Sequence, residues 1–503
     1  MATTTPANAS ASCKSEIATV AREALYPITA DETGAGVTPV DYSYPVGNVL
    51  RYGINTTPGT TDMTAAIQAA IDVIYAFGGG EVVIPAGTYG VSAISKVFGA
   101  AICVNIRGEG RQATTLQKLA GTSTPVISYT TSVGLVSTNF HFSEFRIVGL
   151  SKGHEGIYIQ EHARFLFTNL FVRDCSTGVH FASSLFCGFY GCWFNQNDTG
   201  FKTTLYVAAP QIYNNAIDFN GGGMVGNSLH GVNLEAAASI NFIGTNFELN
   251  GTTTDLATGG VTIGLTVDDE SGMCNINFIN CWLEKNYGMS VEVAAAANLT
   301  LCFKGSVIIA AESGNVMNVG GIKSLLLEQL NCVSGADTVT VACQNLIIIG
   351  GVINELVDTS TRTTIIDLAQ FTGTTEMQVN SILSNGSINA TGSLSNQGQS
   401  GPFTFMSVFG AVPLIGAWNW DSGQNDQPLG LYANSVHLTD RMHYTTAELE
   451  DITNSINTTK KVVGSMVFNT SINAPMYATG ALAASTWTGV DPSDGAGLTL
   501  TPA

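Results

Sequence analysis

The chain has 503 residues, with 19 Lys and Arg against 38 Asp and Glu, so it carries a formal charge of −19 while only 11% of its residues are charged. That acidic balance excludes a duplex-binding protein, which needs a basic stripe to displace counterions. No apolar run reaches the roughly 18 residues of a membrane span, and the length exceeds one ordinary compact core, so several domains or a repeat architecture are expected.

In chain order, residues 1–47 show little periodicity, and the opening Met1-Ala-Thr-Thr-Thr-Pro lacks the charged and apolar regions of a secretory signal. The first strong pattern runs from Thr57 to Tyr89. Thr60 or Thr61 is placed to cap a helix, with Asp62 in its first turn. Ala66, Ile67, Ala70, Ile71 and Ile74 then recur at helical spacing as one apolar stripe. Gly78-Gly79-Gly80 ends the helix, Glu81–Ile84 reads as a strand, and Pro85-Ala86-Gly87 turns the chain.

Beyond this point the text is strand-like with short turns and repeats itself. Phe167 to Phe189, Phe171 to Trp193 and Gly178 to Gly200 are each 22 residues apart. The series continues through Ile212, Phe242, Phe278 and Phe303 at larger offsets. A minimum period near 22 with variable insertions predicts a right-handed, single-stranded parallel β-helix, three short strands per coil, with loops growing from the corners. An amphipathic helix ahead of the first coil is then a cap, because an open solenoid end exposes strand edges and core.

Aligned on that period, Val172, Phe194, Ile217, Phe247 and Leu283 form an inward apolar column, and Asn197, Asn220, Asn250 and Asn286 an asparagine column at a corner. The outward neighbours are Arg173, Asn195, Asp218, Glu248 and Glu284. Strands stack about 4.8 Å apart, so Asp218, Glu248 and Glu284 are candidate catalytic carboxylates at separations that span the retaining and inverting geometries of glycoside hydrolysis. Like charges at that spacing also raise one pKa, as a general acid requires. Two positions earlier lie Phe171, Trp193, Ala216, Asn246 and Trp282. Arg173, Trp193, Asn195, Asn246 and Trp282 are therefore the candidate substrate-binding residues, with the insertions Gly221–Asn227 and Thr252–Gly260 overhanging them as groove walls.

A second cluster, Arg146, Lys152, His154, Glu155, Tyr158, Glu161, His162, Arg164 and Arg173, gathers much of the scarce positive charge. Cations with a His, Tyr or Lys base are what β-elimination of a uronate-containing polymer needs. No cofactor or metal is expected. The ten cysteines contain no CxxC pair and read as buried thiols, and Asp268-Asp269-Glu270 matches no defined calcium loop.

Arg51-Tyr52-Gly53-Ile54, the TxAIQAAID helix and the GGG-x-V-x-IPAGTY segment ending at Tyr89 resemble the opening of pectate-lyase-superfamily β-helices, above all bacteriophage tailspikes and capsule depolymerases. The Asn-Thr-Asp, Gly-His-Gly and Arg-Ile-Lys segments of polygalacturonases are missing, and Gly153-His154-Glu155 fails at its third position. The resemblance implies a homotrimer that cleaves a bacterial surface polysaccharide. It also implies attachment to the phage tail or another tail protein through the N-terminus. Such a protein sits on the virion tail, is made in the host cytoplasm and acts extracellularly, with no nucleic acid and no membrane insertion. The expected layout is an attachment segment over 1–47, the β-helix over 48–380, a polar linker over 381–401 and a small C-terminal β domain over 402–503, used for trimerisation or carbohydrate binding. The alternatives to hydrolysis are a polysaccharide lyase on the same scaffold and a non-catalytic glycan-binding fibre.

Overall fold

The computed structural model describes residues 25–366 except 122, 207–212, 253–257, 265–273, 294–297, 310–314, 333–337 and 354. It also describes strand segments within 370–432, and 443–503 except 459–465, 472–473 and 491–496. Two compact units result, Met1–Leu429 and Gly430–Ala503.

The first unit is the expected parallel β-helix. Each coil lays down three strands in turn, as in Leu185–Tyr190, Trp193–Asn195 and Thr199–Thr204. These define a first, second and third face. Every neighbouring pair along a face is parallel: Leu185–Tyr190 pairs with Asn215–Asn220, Trp193–Asn195 with Gly223–Val225, and Thr199–Thr204 with His230–Leu234. Strand alternation turns one set of side chains inward. Phe167, Phe189, Phe219, Phe242, Phe278 and Phe303 form a continuous aromatic stack, with ring centroids 4.3–5.0 Å apart. Cys187, Cys192 and Cys281 are buried in the same core.

One coil differs from its expected register. The inward column is Val172, Phe194, Met224, Phe247 and Leu283, with Met224 where Ile217 was expected. The 30-residue interval falls between Phe194 and Met224, because the extra chain sits ahead of Asn215, not after Asn220. Everything in that coil therefore moves by seven residues: 224 replaces 217, 227 replaces 220 and 225 replaces 218. Gly221–Asn227 is accordingly no overhanging loop, since it contains the second-face strand Gly223–Val225.

The asparagine column is then Asn197, Asn227, Asn250 and Asn286, all fully or almost fully buried. Asn227 donates from Nδ2 to the Phe194 carbonyl at 3.0 Å and to Asn250 Oδ1 at 2.7 Å, and its backbone N–H reaches the same oxygen at 3.1 Å. Asn250 repeats the pattern one rung on, toward the Met224 carbonyl and Asn286. The residue before each asparagine is left-handed: Gln196, Gly226, Leu249 and Lys285 have φ between 49° and 65°. The corner thus turns through a conformation disfavoured for L-residues, and the amide ladder holds it there. Asn250→Ala strands the Asn227 backbone and amide donors and the Met224 carbonyl. A loss of about 2–4 kcal/mol is expected in chemical denaturation, the cost of two or three orphaned buried groups.

The cap helix runs Thr64–Ala76 and buries Ala66, Ile67, Ala70, Ile71, Val73 and Ile74. Its cap differs from expectation: no threonine hydroxyl caps it, and Asp62 Oδ1 accepts from the Thr64 N–H at 2.9 Å. Lys96 anchors the helix to the first coils, 2.8 Å from Asp72 and over the Tyr75 ring. At the other end, Ile382–Ser384, Asn389–Ala390 and Leu394–Ser395 still pair in parallel with preceding strands. Among the described residues, parallel pairing therefore reaches Ser395, inside the stretch 381–401 expected as a linker; strands of two or three residues leave little apolar periodicity to read.

In the second unit, His443–Tyr444 lies parallel to Met466–Asn469, which continues antiparallel through Ala474–Ala478, Trp487–Val490 and Gly497–Leu500. Leu449, Ile456, Val467, Met476, Trp487 and Leu500 form its core.

Candidate active site

The corrected register dissolves the expected carboxylate trio. Asp218 lies on the first face, paired with Gly188 and Asn241, and accepts from Asn241 Nδ2 at 2.7 Å. Its expected place on the second face is held by Val225. Asp218→Ala is therefore expected to cost about 1–2 kcal/mol, the bond from Asn241, and to leave activity unchanged, in parallel melting and turnover assays.

The second face does assemble the others. Arg173, Asn195, Val225, Glu248 and Glu284 are register neighbours, as are Phe171, Trp193, Gly223, Asn246 and Trp282. Arg173 Nε is 3.3 Å from Asp174. Asn246 Nδ2 donates to Glu248 at 3.2 Å. Glu284 accepts from Trp282 Nε1 at 2.9 Å and lies 3.1 Å from Lys285 Nζ. The Trp282 bond, followed by Lys285, holds the Glu284 carboxyl below its ordinary value. A general acid needs the opposite shift.

The second sequence cluster is scattered. His162 is fully buried in the core, its Nδ1 on the Thr138 hydroxyl at 2.9 Å, and burial drives its pKa down to about 3. His154 is buried and accepts the Leu150 N–H at 3.2 Å. Lys152 ties a corner together through the Asn197 carbonyl and Ser228. Arg146 holds Thr115, and Arg164 is exposed within the strand His162–Thr168.

Three members, Glu155, Tyr158 and Glu161, reach the third face, where they meet residues the sequence reading missed. Tyr158, His180, Lys202 and Asn233 form one outward column on four successive rungs. The neighbouring column is Gln160, Ala182 and Thr204. His180 Nδ1 is 2.7 Å from Glu155 Oε1 and its Nε2 is 2.8 Å from the Thr204 hydroxyl. The Tyr158 ring meets the His180 imidazole edge-on at 5.1 Å, and its hydroxyl donates to Gln160 Oε1 at 3.3 Å. Burial first, then the charges of Glu155, Tyr206 and Glu161, push the Tyr158 pKa up to about 12. Lys202 Nζ lies 2.8 Å from Glu235, and Gln160 Nε2 donates to Glu161 at 3.4 Å.

The missed signal was the period itself: 158, 180 and 202 are 22 apart. Chemically the cluster offers an imidazole oriented by a carboxylate, a phenol that stays protonated at neutral pH, and a primary amine one rung away. That is a proton acceptor, a proton donor and a cation on one outer surface.

This architecture places the chain among parallel β-helix proteins. No family model matches it. Among solved structures, the tailspike protein 3 of Bacteriophage CBA120 superposes with a TM-score of 0.51 at 12% identity, covering 90% of this chain and 69% of that one, and so shares the fold. The A-module of Mannuronan C-5 epimerase AlgE6 from Azotobacter vinelandii gives a TM-score of 0.46 at 16% identity, covering 70% and 96%. In sequence, 96 residues are 38% identical to Mannuronan C5-epimerase AlgE2 of Azotobacter vinelandii, 18% of this chain. The match spans about a tenth of that relative's length.

Proposed function

We propose that the chain is a phage tailspike that binds and cleaves a bacterial capsular polysaccharide, exopolysaccharide or O-antigen, using the third-face centre for β-elimination at a uronate. The carrying observation is the Glu155–His180–Tyr158 constellation beside Lys202. The fold shared with a tailspike and the short sequence match to a mannuronan C5-epimerase support the same reading, since epimerisation at C5 and elimination both begin with removal of the proton beside the uronate carboxylate. The same proposal includes a homotrimer, attachment to the phage tail through residues 1–47 and action at the bacterial surface, for which the tailspike likeness is the support.

With Nδ1 facing the Glu155 carboxylate, the imidazole proton sits there and the Nε2 lone pair is available once the Thr204 hydroxyl turns away. His180 Nε2 takes the C5 proton, and the electron pair of that bond forms the C4–C5 double bond. The C4–O4 bond breaks, and the Tyr158 hydroxyl protonates the departing oxygen. Lys202, shared with Glu235, stabilises the charge that grows on the uronate carboxylate.

Hydrolysis is the second reading, and the register contact of Glu248 with Glu284 favours it. Incubation with typed capsular polysaccharides separates the routes. Elimination gives an unsaturated product absorbing in the near ultraviolet, and its appearance with each new reducing end is the expected result. New reducing ends without that absorbance would overturn elimination in favour of hydrolysis. Retention of polymer at undiminished length would make the chain a binding fibre.

A further inference from the structure

We infer that the second face is a separate, non-cleaving binding strip for a neutral or amino-sugar-containing oligosaccharide, anchored by Trp193 and Trp282. Trp193 is half-buried and Trp282 exposed, and neither fills the core. Trp282 keeps 44% of its surface exposed, and its indole N–H is tied to Glu284 at 2.9 Å, so the ring is oriented before any ligand arrives. Trp193 lies down over the next rung: a Cβ on Gly223 would come within 3.0 Å of the indole Cζ3. Gly223 therefore leaves the space the ring occupies.

The rungs between the anchors are Gly223 and Asn246, so nothing bulky interrupts the column. Three rung spacings separate the indoles, about 14 Å along the axis, a span suited to a short oligosaccharide with an indole under each end. Indole faces cover the apolar C–H faces of pyranoses while polar side chains take the hydroxyls. Those groups stand in the adjoining column, where Asn195, Glu248 and Glu284 run beside the tryptophans. The two carboxylates accept from hydroxyls or an amino group, and the cations beside them, Arg173 and Lys285, are already engaged by Asp174 and Glu284, which disfavours a polyuronate. The strip is thus chemically unlike the third face, where Lys202 and His180 stand on successive rungs. Together the two faces fit a heteropolysaccharide in which uronates are interspersed with uncharged sugars, and this last step rests on the elimination reading.

The test uses the full chain on an array of printed bacterial surface polysaccharides spanning neutral, amino-sugar and uronate-rich polymers. Wild type is expected to be retained on at least one neutral or amino-sugar polymer. Trp193→Ala and Trp282→Ala should each weaken that retention on the order of tenfold, the loss of one packed aromatic anchor. Trp282→Phe, which keeps a ring face, should retain most of it. Sedimentation should be unchanged in all three and melting in both Trp282 variants, whose side chain is exposed; retention of Trp193→Ala, which uncovers Gly223, is read well below its own melting transition. Failure of wild type to bind any such polymer, or undiminished binding by both alanine variants, overturns the inference. A change in oligomeric state in those variants also overturns it and makes the face an interface between copies. Wild type that is retained on a neutral or amino-sugar polymer but releases no unsaturated product from any uronate-containing polymer would sink the elimination reading alone.

Discussion

Replacing His180 by Ala, or Tyr158 by Phe, is expected to lower kcat on the cleaved polysaccharide by about 10²- to 10⁴-fold, the contribution of one positioned acid or base. Tyr158→Phe is the cleaner test, because it deletes only the hydroxyl and its bond to Gln160. The ring that packs on His180 remains. KM should move little in Tyr158→Phe, since a proton donated to the leaving oxygen matters only in the transition state. Glu155→Gln should fall between wild type and His180→Ala, because an amide still accepts a hydrogen bond from Nδ1 but no longer stabilises the imidazolium formed when Nε2 takes the proton. The pH profile adds a check: the Tyr158 pKa is pushed up to about 12, so the phenol stays protonated through the physiological range. Any loss of rate between pH 8 and 10 must then come from another group. Undiminished turnover in His180→Ala and Tyr158→Phe would move the chemistry off the third face.

The fold was legible because a solenoid writes its geometry as a period, and the aromatic stack fixes it: Phe167, Phe189, Phe242, Phe278 and Phe303 all occupy the expected column. Phe219 was the missed member, because Ile212 lies 23 residues after Phe189, close enough to the minimum period to pass for the next rung. Nothing in the local composition says whether extra chain enters before or after a strand, and both choices place an isoleucine or phenylalanine inward. That one ambiguity moved a coil by seven residues and carried Asp218 onto the wrong face. Glu248 and Glu284 survived because their coil was counted from the correct side of the insertion. The third-face centre was missed for a different reason. The charged cluster along the chain contains Glu155 and Tyr158 but also His154 and His162, which the fold buries, while His180 and Lys202 are isolated in sequence and become neighbours of Tyr158 only through stacking. In a repeat fold, function is written at the repeat interval and not in contiguous motifs.

The N-terminal cap is pinned by one buried ion pair. Glu32 and Arg51 are both fully buried, with Arg51 Nε 2.5 Å from Glu32 Oε1 and Nη2 2.9 Å from Oε2. Tyr52 Oη donates to Glu32 at 3.0 Å, and the Thr29 N–H at 2.8 Å. The remaining guanidinium donors reach the carbonyls of Tyr26, Pro27 and Tyr44. One side chain thus fastens residues 26–44 over the capped end of the solenoid. Arg51→Ala leaves a buried carboxylate without its counter-charge, a loss of about 3–5 kcal/mol. Arg51→Lys should recover only part of it, because a point ammonium cannot span the carboxylate and three carbonyls at once. Burial alone would raise the Glu32 pKa, but the bonds from Arg51, Thr29 and Tyr52 outweigh it and hold the carboxyl below its ordinary value. The Glu32 contribution is therefore present above an unfolded-state pKa of about 4.3 and lost as pH falls through the lower folded value. In Arg51→Ala that acid sensitivity should shrink. Because each coil contacts only its neighbours, the damage should be local. Hydrogen exchange is expected to open residues 26–52 and the helix Thr64–Ala76 while the rungs around Phe189 and Phe219 keep their protection. Uniform loss of protection along the whole solenoid would instead mean that the cap nucleates the stack, and unchanged exchange at 26–52 would mean that Arg51 holds nothing.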